Sequence, residues 1–149
     1  MFDPIKHKIV LINLLKDIYS DVELRTILGF KGGTAAMMFY DLPRLSVDLD
    51  FDLLREDKKE LVLEKIKKIL QPYGEIHDVA EKRFTLFFLL SYEKGKQAVK
   101  IEISKRKGPN VYEFKNCNFT KPGTLEWYIL FGKLRRNFNK IWPPKKRKL

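Results

Sequence analysis

Asp48, Asp50 and Asp52 alternate with Val47, Leu49, Phe51 and Leu53. Side chains on a strand alternate between faces, so the acids share one side and the apolar residues the other. Three like charges along one strand face cost stability unless they are paired, and Asp is a poor strand former. A structural reading leaves an acidic, solvated strand. A chemical reading puts a cation between the carboxylates: two acids one residue apart hold Mg²⁺ through hard oxygens and leave positions for water and phosphate. Two such ions about 4 Å apart activate an attacking oxygen and stabilise a leaving pyrophosphate.

Upstream, Lys31, Gly32, Gly33 and Thr34 stand between a strand-like segment and a short apolar helix. Glycine lets backbone approach a ligand closely, and a helix N-terminus offers free N–H groups and a positive dipole end. Lys31 adds a charge and Thr34 a hydroxyl. Arg44 either neutralises the acids or meets a phosphate. Ser46 shares the face of Asp48 and either binds phosphate or caps the strand. Further on, Lys100 and Glu102 share a face opposite Val99, Ile101 and Ile103. Glu102 on a neighbouring strand would be a third carboxylate; alone, the pair reads as a surface Lys–Glu strand.

These groups need elements to hold them. Asp3 and Pro4 predict a helix start, and Ile5, Ile9, Ile12, Leu15 and Tyr19 recur at helical spacing over residues 4–19. Residues 24–30 read as a short strand, 34–40 as a helix ended by Pro43, and 46–54 as the carboxylate strand. Residues 57–70 form an amphipathic helix. Residues 75–81 read as a strand, and 83–92 and 97–104 as a hairpin around 93–96. Residues 111–115 read as one more strand and 124–137 as a helix. That order predicts an α+β (mixed α/β) fold, a mixed sheet with helices packed mainly on one face. Residues 1–140 form one domain in this reading and 141–149 a basic tail.

The 149 residues suffice for a real core, and 44% hydrophobic content is that of a globular chain. Residues 1–78 carry 12 Lys/Arg against 14 Asp/Glu, and residues 79–149 carry 18 against 5. The basic half suits nucleic acid, nucleotide phosphates or an acidic protein partner; a solvated basic surface is the plainer reading. A lone cysteine, Cys117, excludes an intrachain disulfide and a cysteine-based zinc site. His7 and His77 lack ligand spacing and read as surface or packing residues. No apolar run approaches the roughly 20 residues of a spanning helix, and the first 20 residues are too interrupted by charge for a signal peptide. A cytoplasmic protein with no membrane contact is expected.

Gly-Gly-Thr at 32–34, a short helix, then Arg44, Ser46, Asp48, Leu49, Asp50 and Phe51 resemble the nucleotidyltransferase AbiEii/AbiGii toxin family, within the DNA polymerase β-like nucleotidyltransferase superfamily. Lys100 to Ile103 resembles a later family strand. The resemblance covers roughly the first two thirds of the chain. It implies a nucleotidyltransferase-like mixed sheet in which Gly32, Gly33 and Thr34 contact nucleotide phosphates and Asp48 and Asp50 hold Mg²⁺ or Mn²⁺, with Glu102 as a third ligand. Lys31, Arg44 and Ser46 then serve the nucleotide, and Lys100, Arg44 or Lys133 offsets transition-state charge. The implied reaction transfers a nucleotidyl group from an NTP to a tRNA-like RNA or a protein, in a toxin partnered by a cognate antitoxin. Residues 130–134 stand where the family has an Ala-x-Lys-Leu type helix, and its Arg-Asp-x-x-Asp segment is absent. A second reading follows from that departure: a catalytically reduced module that binds RNA or a partner protein.

Overall fold

A computed structural model of the chain describes residues 2–40, 46–93, 97–106, 110–117 and 127–134. Helix α1 (Pro4–Ser20) starts where Asp3 accepts hydrogen bonds from the backbone N–H groups of Ile5 and Lys6, with Pro4 in the first turn. A short helix α2 (Leu24–Ile27) leads into strand β1 (Leu28–Lys31), which turns directly into α3 (Gly32–Tyr40). Strand β2 (Leu49–Leu53) precedes α4 (Lys59–Leu70). Then come β3 (Glu75–Glu81), β4 (Thr85–Glu93), β5 (Gln97–Ser104), β6 (Asn110–Asn116) and β7 (Tyr128–Leu134). The expected mixed fold is thus present, and the seven described strands form one sheet in the order β3-β4-β5-β2-β1-β7-β6.

Register decides what faces what. Strand β2 is central, antiparallel to β1 and parallel to β5. Phe30 lies opposite Phe51, Phe51 opposite Ile103, and Ile103 opposite Leu86. Leu49, Ile101 and Phe88 form a parallel row. All seven are fully buried, and each contributes about 2–3 kcal/mol by burial. The helices cover this apolar face. Tyr19 of α1 packs on the Phe51 ring and donates to the Leu28 carbonyl. Phe39 of α3 meets Phe131 edge-on. Val62, Ile66 and Leu70 bring α4 into the same core. The opposite face carries Lys31, Asp50, Asp52, Lys100, Glu102 and Ser104.

Three expectations change. Residues 24–27 are helical, and the strand begins only at Leu28. Helix α1 buries His7, Leu11, Leu14, Leu15 and Ile18, while Ile5 and Ile9 are 75% and 54% exposed. The helix is apolar on nearly all sides, so spacing alone did not select its inner face. Residues 128–134 are a strand, not part of a helix. Ile129, Leu130 and Phe131 are buried in sequence, as in a strand covered on both sides, and such short apolar runs carry no period that separates strand from helix. The helical placement of Lys133 therefore fails: its backbone lies in β7. Arg44, the 94–96 turn and residues 135–149 fall outside the described residues.

Candidate active site

The polar face is built by pairing rows. Lys31 of β1 stands opposite Asp50 of β2, and Asp50 opposite Glu102 of β5. Three strands distant in sequence thus place a cation, a carboxylate and a second carboxylate side by side. Burial pushes the Asp50 carboxyl up to about 6, helped by the charges of Glu102 and then Asp48, while Lys31 and Lys100 pull against that rise. Asp50 is thus the focus on which Lys31, Asp48, Lys100 and Glu102 all act. The Lys100 ammonium lies 4.0 Å from Glu102, both half-exposed.

Gly32 closes one side. Its φ of +84° lies in the left-handed region, and a Cβ there would sit 2.8 Å from Asp50 Oδ2. Only glycine lets β1 turn into α3 directly against the carboxylate. The first-turn N–H groups of α3, Gly33 among them, have no partner within a helix.

Asp48 precedes β2 rather than lying in it, so side chains fix its backbone. The buried Thr34 hydroxyl donates to the Asp48 carbonyl and lies 2.9 Å from the Ser46 hydroxyl. His7 Nε2 is 2.8 Å from the Val47 carbonyl and donates to it; Nδ1 is 2.5 Å from the Tyr92 hydroxyl. Thr34 and Ser46 are thus bonded to each other beside Asp48, with Thr34 directed inward rather than to open solvent.

Asp52, third of the alternating acids, has a different setting. It is 3% exposed. Lys31 Nζ lies 2.6 Å from one oxygen and the Tyr112 hydroxyl donates to the other at 2.5 Å. Tyr112 comes from β6, three strands away. Its ring crosses Gly132 of β7 and Gly29 of β1, where a Cβ at either position would overlap it. Two missing side chains open the lane by which a tyrosine reaches β2. Asp52 therefore anchors Lys31, which in turn faces Asp50.

Among the described residues no three His, Cys, Asp or Glu side chains already converge as a metal cage. The donor chemistry nevertheless fits a Mg²⁺-like ion. Such ions take one or two carboxylates and complete their shell with water and substrate phosphates rather than an all-protein cage. Asp50 with its raised pKa, pressed by two more carboxylates, is a hard-oxygen set short of positive charge.

The sequence does not show Asp52 as the anchor of Lys31 or Tyr112 with its two glycines, and His7, expected at the surface or in packing, is a buried packing residue that also bonds the Val47 carbonyl. His7 had a signal, since it precedes Leu11, Leu14 and Ile18 on one helical stripe. Gly29 and Gly132 had a weaker one, as isolated glycines in strand segments that mark close approach of another group.

A sequence model of the family described as "Nucleotidyl transferase AbiEii toxin, Type IV TA system" matches residues 13–124. Among solved structures, JHP933 from Helicobacter pylori is similar at 25% identity and a TM-score of 0.51, over 71% of this chain and 45% of that one. A second H. pylori protein, described as a "putative nucleotidyltransferase", aligns at 22% identity and a TM-score of 0.48, over 68% and 44%. The chain thus spans less than half the length of these two proteins. No curated protein matches it. Among the described residues, no helix is long and apolar enough to cross a membrane.

Proposed function

The chain belongs to the nucleotidyl transferase AbiEii toxin family, and from that premise we propose that it transfers a nucleotidyl group from an NTP to a hydroxyl of RNA or protein, with pyrophosphate leaving. The observation that carries this reading is the row Lys31–Asp50–Glu102, whose central carboxyl is raised to about 6. A divalent ion, Mg²⁺ or Mn²⁺, when bound supplies Lewis-acid polarisation of the phosphate oxygens. Asp48, Asp50 and Glu102 would hold it.

Gly32 and Gly33 let the triphosphate approach the start of α3, where free N–H groups and the helix dipole favour an anion. Lys31, held by Asp52, stands opposite Asp50 and adds its positive charge to this part of the site. Lys100 offsets negative charge that builds on the transferring phosphate. Thr34 and Ser46 hold the backbone that presents Asp48. Within a two-component system an antitoxin would oppose this activity.

The test supplies purified protein with Mg²⁺, each of the four α-labelled NTPs and a cell extract, then separates RNA from protein. Label in one fraction, absent with Asp50→Asn, supports the proposal and names the acceptor class. No label in either fraction, with no NTP binding, overturns it.

A further inference from the structure

Beside the carboxylate row lies a second concave surface that the transfer chemistry does not use. A cavity of about 440 Å³ is lined by Lys82, Arg83, Phe84, Thr85, Ser104 and Arg106. Its wall is fixed by backbone: Lys82 N–H donates to the Thr85 carbonyl and Lys105 N–H to the Phe84 carbonyl, both at 2.8 Å. Phe84 is 40% exposed, a large apolar ring left in solvent at a turn. The Arg106 guanidinium lies 3.8 Å and that of Arg83 5.1 Å from its centroid, and Lys82 lies 4.5 Å from the centre of Phe87.

The charge is one-sided. Glu81, the acid next to this turn, is taken by Lys59 at 2.7 Å and Lys105 at 3.1 Å. Among the described residues Lys82, Arg83 and Arg106 have no carboxylate within ion-pair distance. Guanidiniums stacked on a ring keep their N–H edges free for phosphate oxygens. Cations set around an exposed aromatic ring are what a single nucleic-acid strand uses, charge for its backbone and the ring for a base. An acidic peptide would use the cations but leaves the exposed Phe84 ring without the planar partner that a base supplies.

Position links this surface to the transfer centre. Ser104 stands opposite Asp52 and Thr85, while Glu102 stands opposite Asp50 and Phe87. The cavity therefore starts two residues along β5 from the carboxylate row, about 7 Å, on the same face of the sheet. Lys82, above Phe87, bridges the gap.

We propose that the surface of Lys82, Arg83, Phe84 and Arg106, with the Thr85 and Ser104 hydroxyls at its floor, seats the sugar-phosphate backbone of a single-stranded RNA acceptor and directs its end to Asp50 and Glu102. The assignment of this strand as acceptor rests on the nucleotidyl-transfer reading; the binding surface does not.

The experiment measures anisotropy of a short fluorescein-labelled single-stranded RNA against salt. Arg83→Ala/Arg106→Ala is expected to weaken binding at least about tenfold. It should also flatten the dependence of log K on log salt by about 1.4, roughly 0.7 for each lost phosphate contact. Phe84→Ala weakens binding several-fold without changing that slope. Lys67→Ala/Lys68→Ala removes two exposed cations from α4, on the covered side of the sheet, and leaves binding within about twofold. Unchanged binding in the arginine pair, or equal loss in the α4 pair, overturns the proposal. So does a wild-type protein that binds no RNA but labels protein. NTP binding read in parallel keeps the two ideas apart. If the arginine variant loses RNA while wild type transfers nothing, the transfer reading fails and the surface stands. If transfer persists with RNA binding unaltered, the surface fails and the transfer reading stands.

Discussion

Replacing Asp50 by Asn should make the ligand-free protein more stable while removing its activity. The Asp50 carboxyl is raised from 3.8 to about 6 in the fold, first by burial and then by Glu102 and Asp48. A raised acid contributes stability that is fully present below the unfolded pKa and is lost as pH rises through the folded value. At about 1.4 kcal/mol per pH unit the full cost of ionisation is about 3 kcal/mol. Partial exposure screens it, and about 1–2 kcal/mol is a fair discount. Asn is close in shape and neutral at every pH. Urea unfolding of both proteins should therefore give equal stabilities near pH 4. Asp50→Asn should lead by about 1–2 kcal/mol at pH 7.5, roughly 3–6 °C in Tm. Saturating Mg²⁺ and NTP should reverse the order, since ligand at a hundred times Kd stabilises wild type by about 2.7 kcal/mol. A difference that does not change with pH, or a destabilised Asn variant at pH 7.5, refutes the electrostatic reading of the Asp50–Glu102 row.

Lys31→Ala removes the ammonium 2.6 Å from the buried Asp52 carboxylate and should cost about 3 kcal/mol in chemical denaturation; Lys31→Arg should recover part of it. Gly29→Ala drives a Cβ into the Tyr112 ring and should cost about 1–3 kcal/mol. Combining it with Tyr112→Ala should cost less than the sum of the two, a coupling that a double-mutant cycle reads directly. Thr34→Val keeps the shape but frees the Asp48 carbonyl; about 1–2 kcal/mol of stability is lost. Its kcat should fall about tenfold or more, with KM less changed, because Asp48 is no longer held in place.

Local pattern made part of this molecule readable. Alternation in 97–104 is strong enough to fix β5, its pairing across 93–96 brings in the apolar run of 83–92 as β4, and the Asp3-Pro4 start is strong enough to fix α1. The alternating acids are plain in the sequence, but their roles are not, because roles come from neighbours. Asp50 meets Glu102 across a parallel pair separated by fifty-two positions in the chain, a register no local period encodes. Asp52 looks like its two companions until Tyr112 and Lys31 are placed around it. Strand β7 reads as helix in the sequence because Ile129, Leu130 and Phe131 are buried in succession, and burial on both sides erases the alternation that marks a strand. The inner face of α1 is ambiguous in the sequence for a related reason, since a helix with isoleucines on several sides offers more than one apolar stripe.

The central claim is that Asp50, with Asp48 and Glu102, holds a divalent ion together with nucleotide. Its most direct measurement is an electron paramagnetic resonance titration of free Mn²⁺ at pH 7.5 in the presence of a non-hydrolysable NTP. Wild type should deplete the free-ion signal to saturation. Asp50→Asn, folded and more stable, should leave it near that of buffer with nucleotide alone, and Glu102→Gln should fall between. Equal Mn²⁺ uptake by wild type and Asp50→Asn would contradict the account.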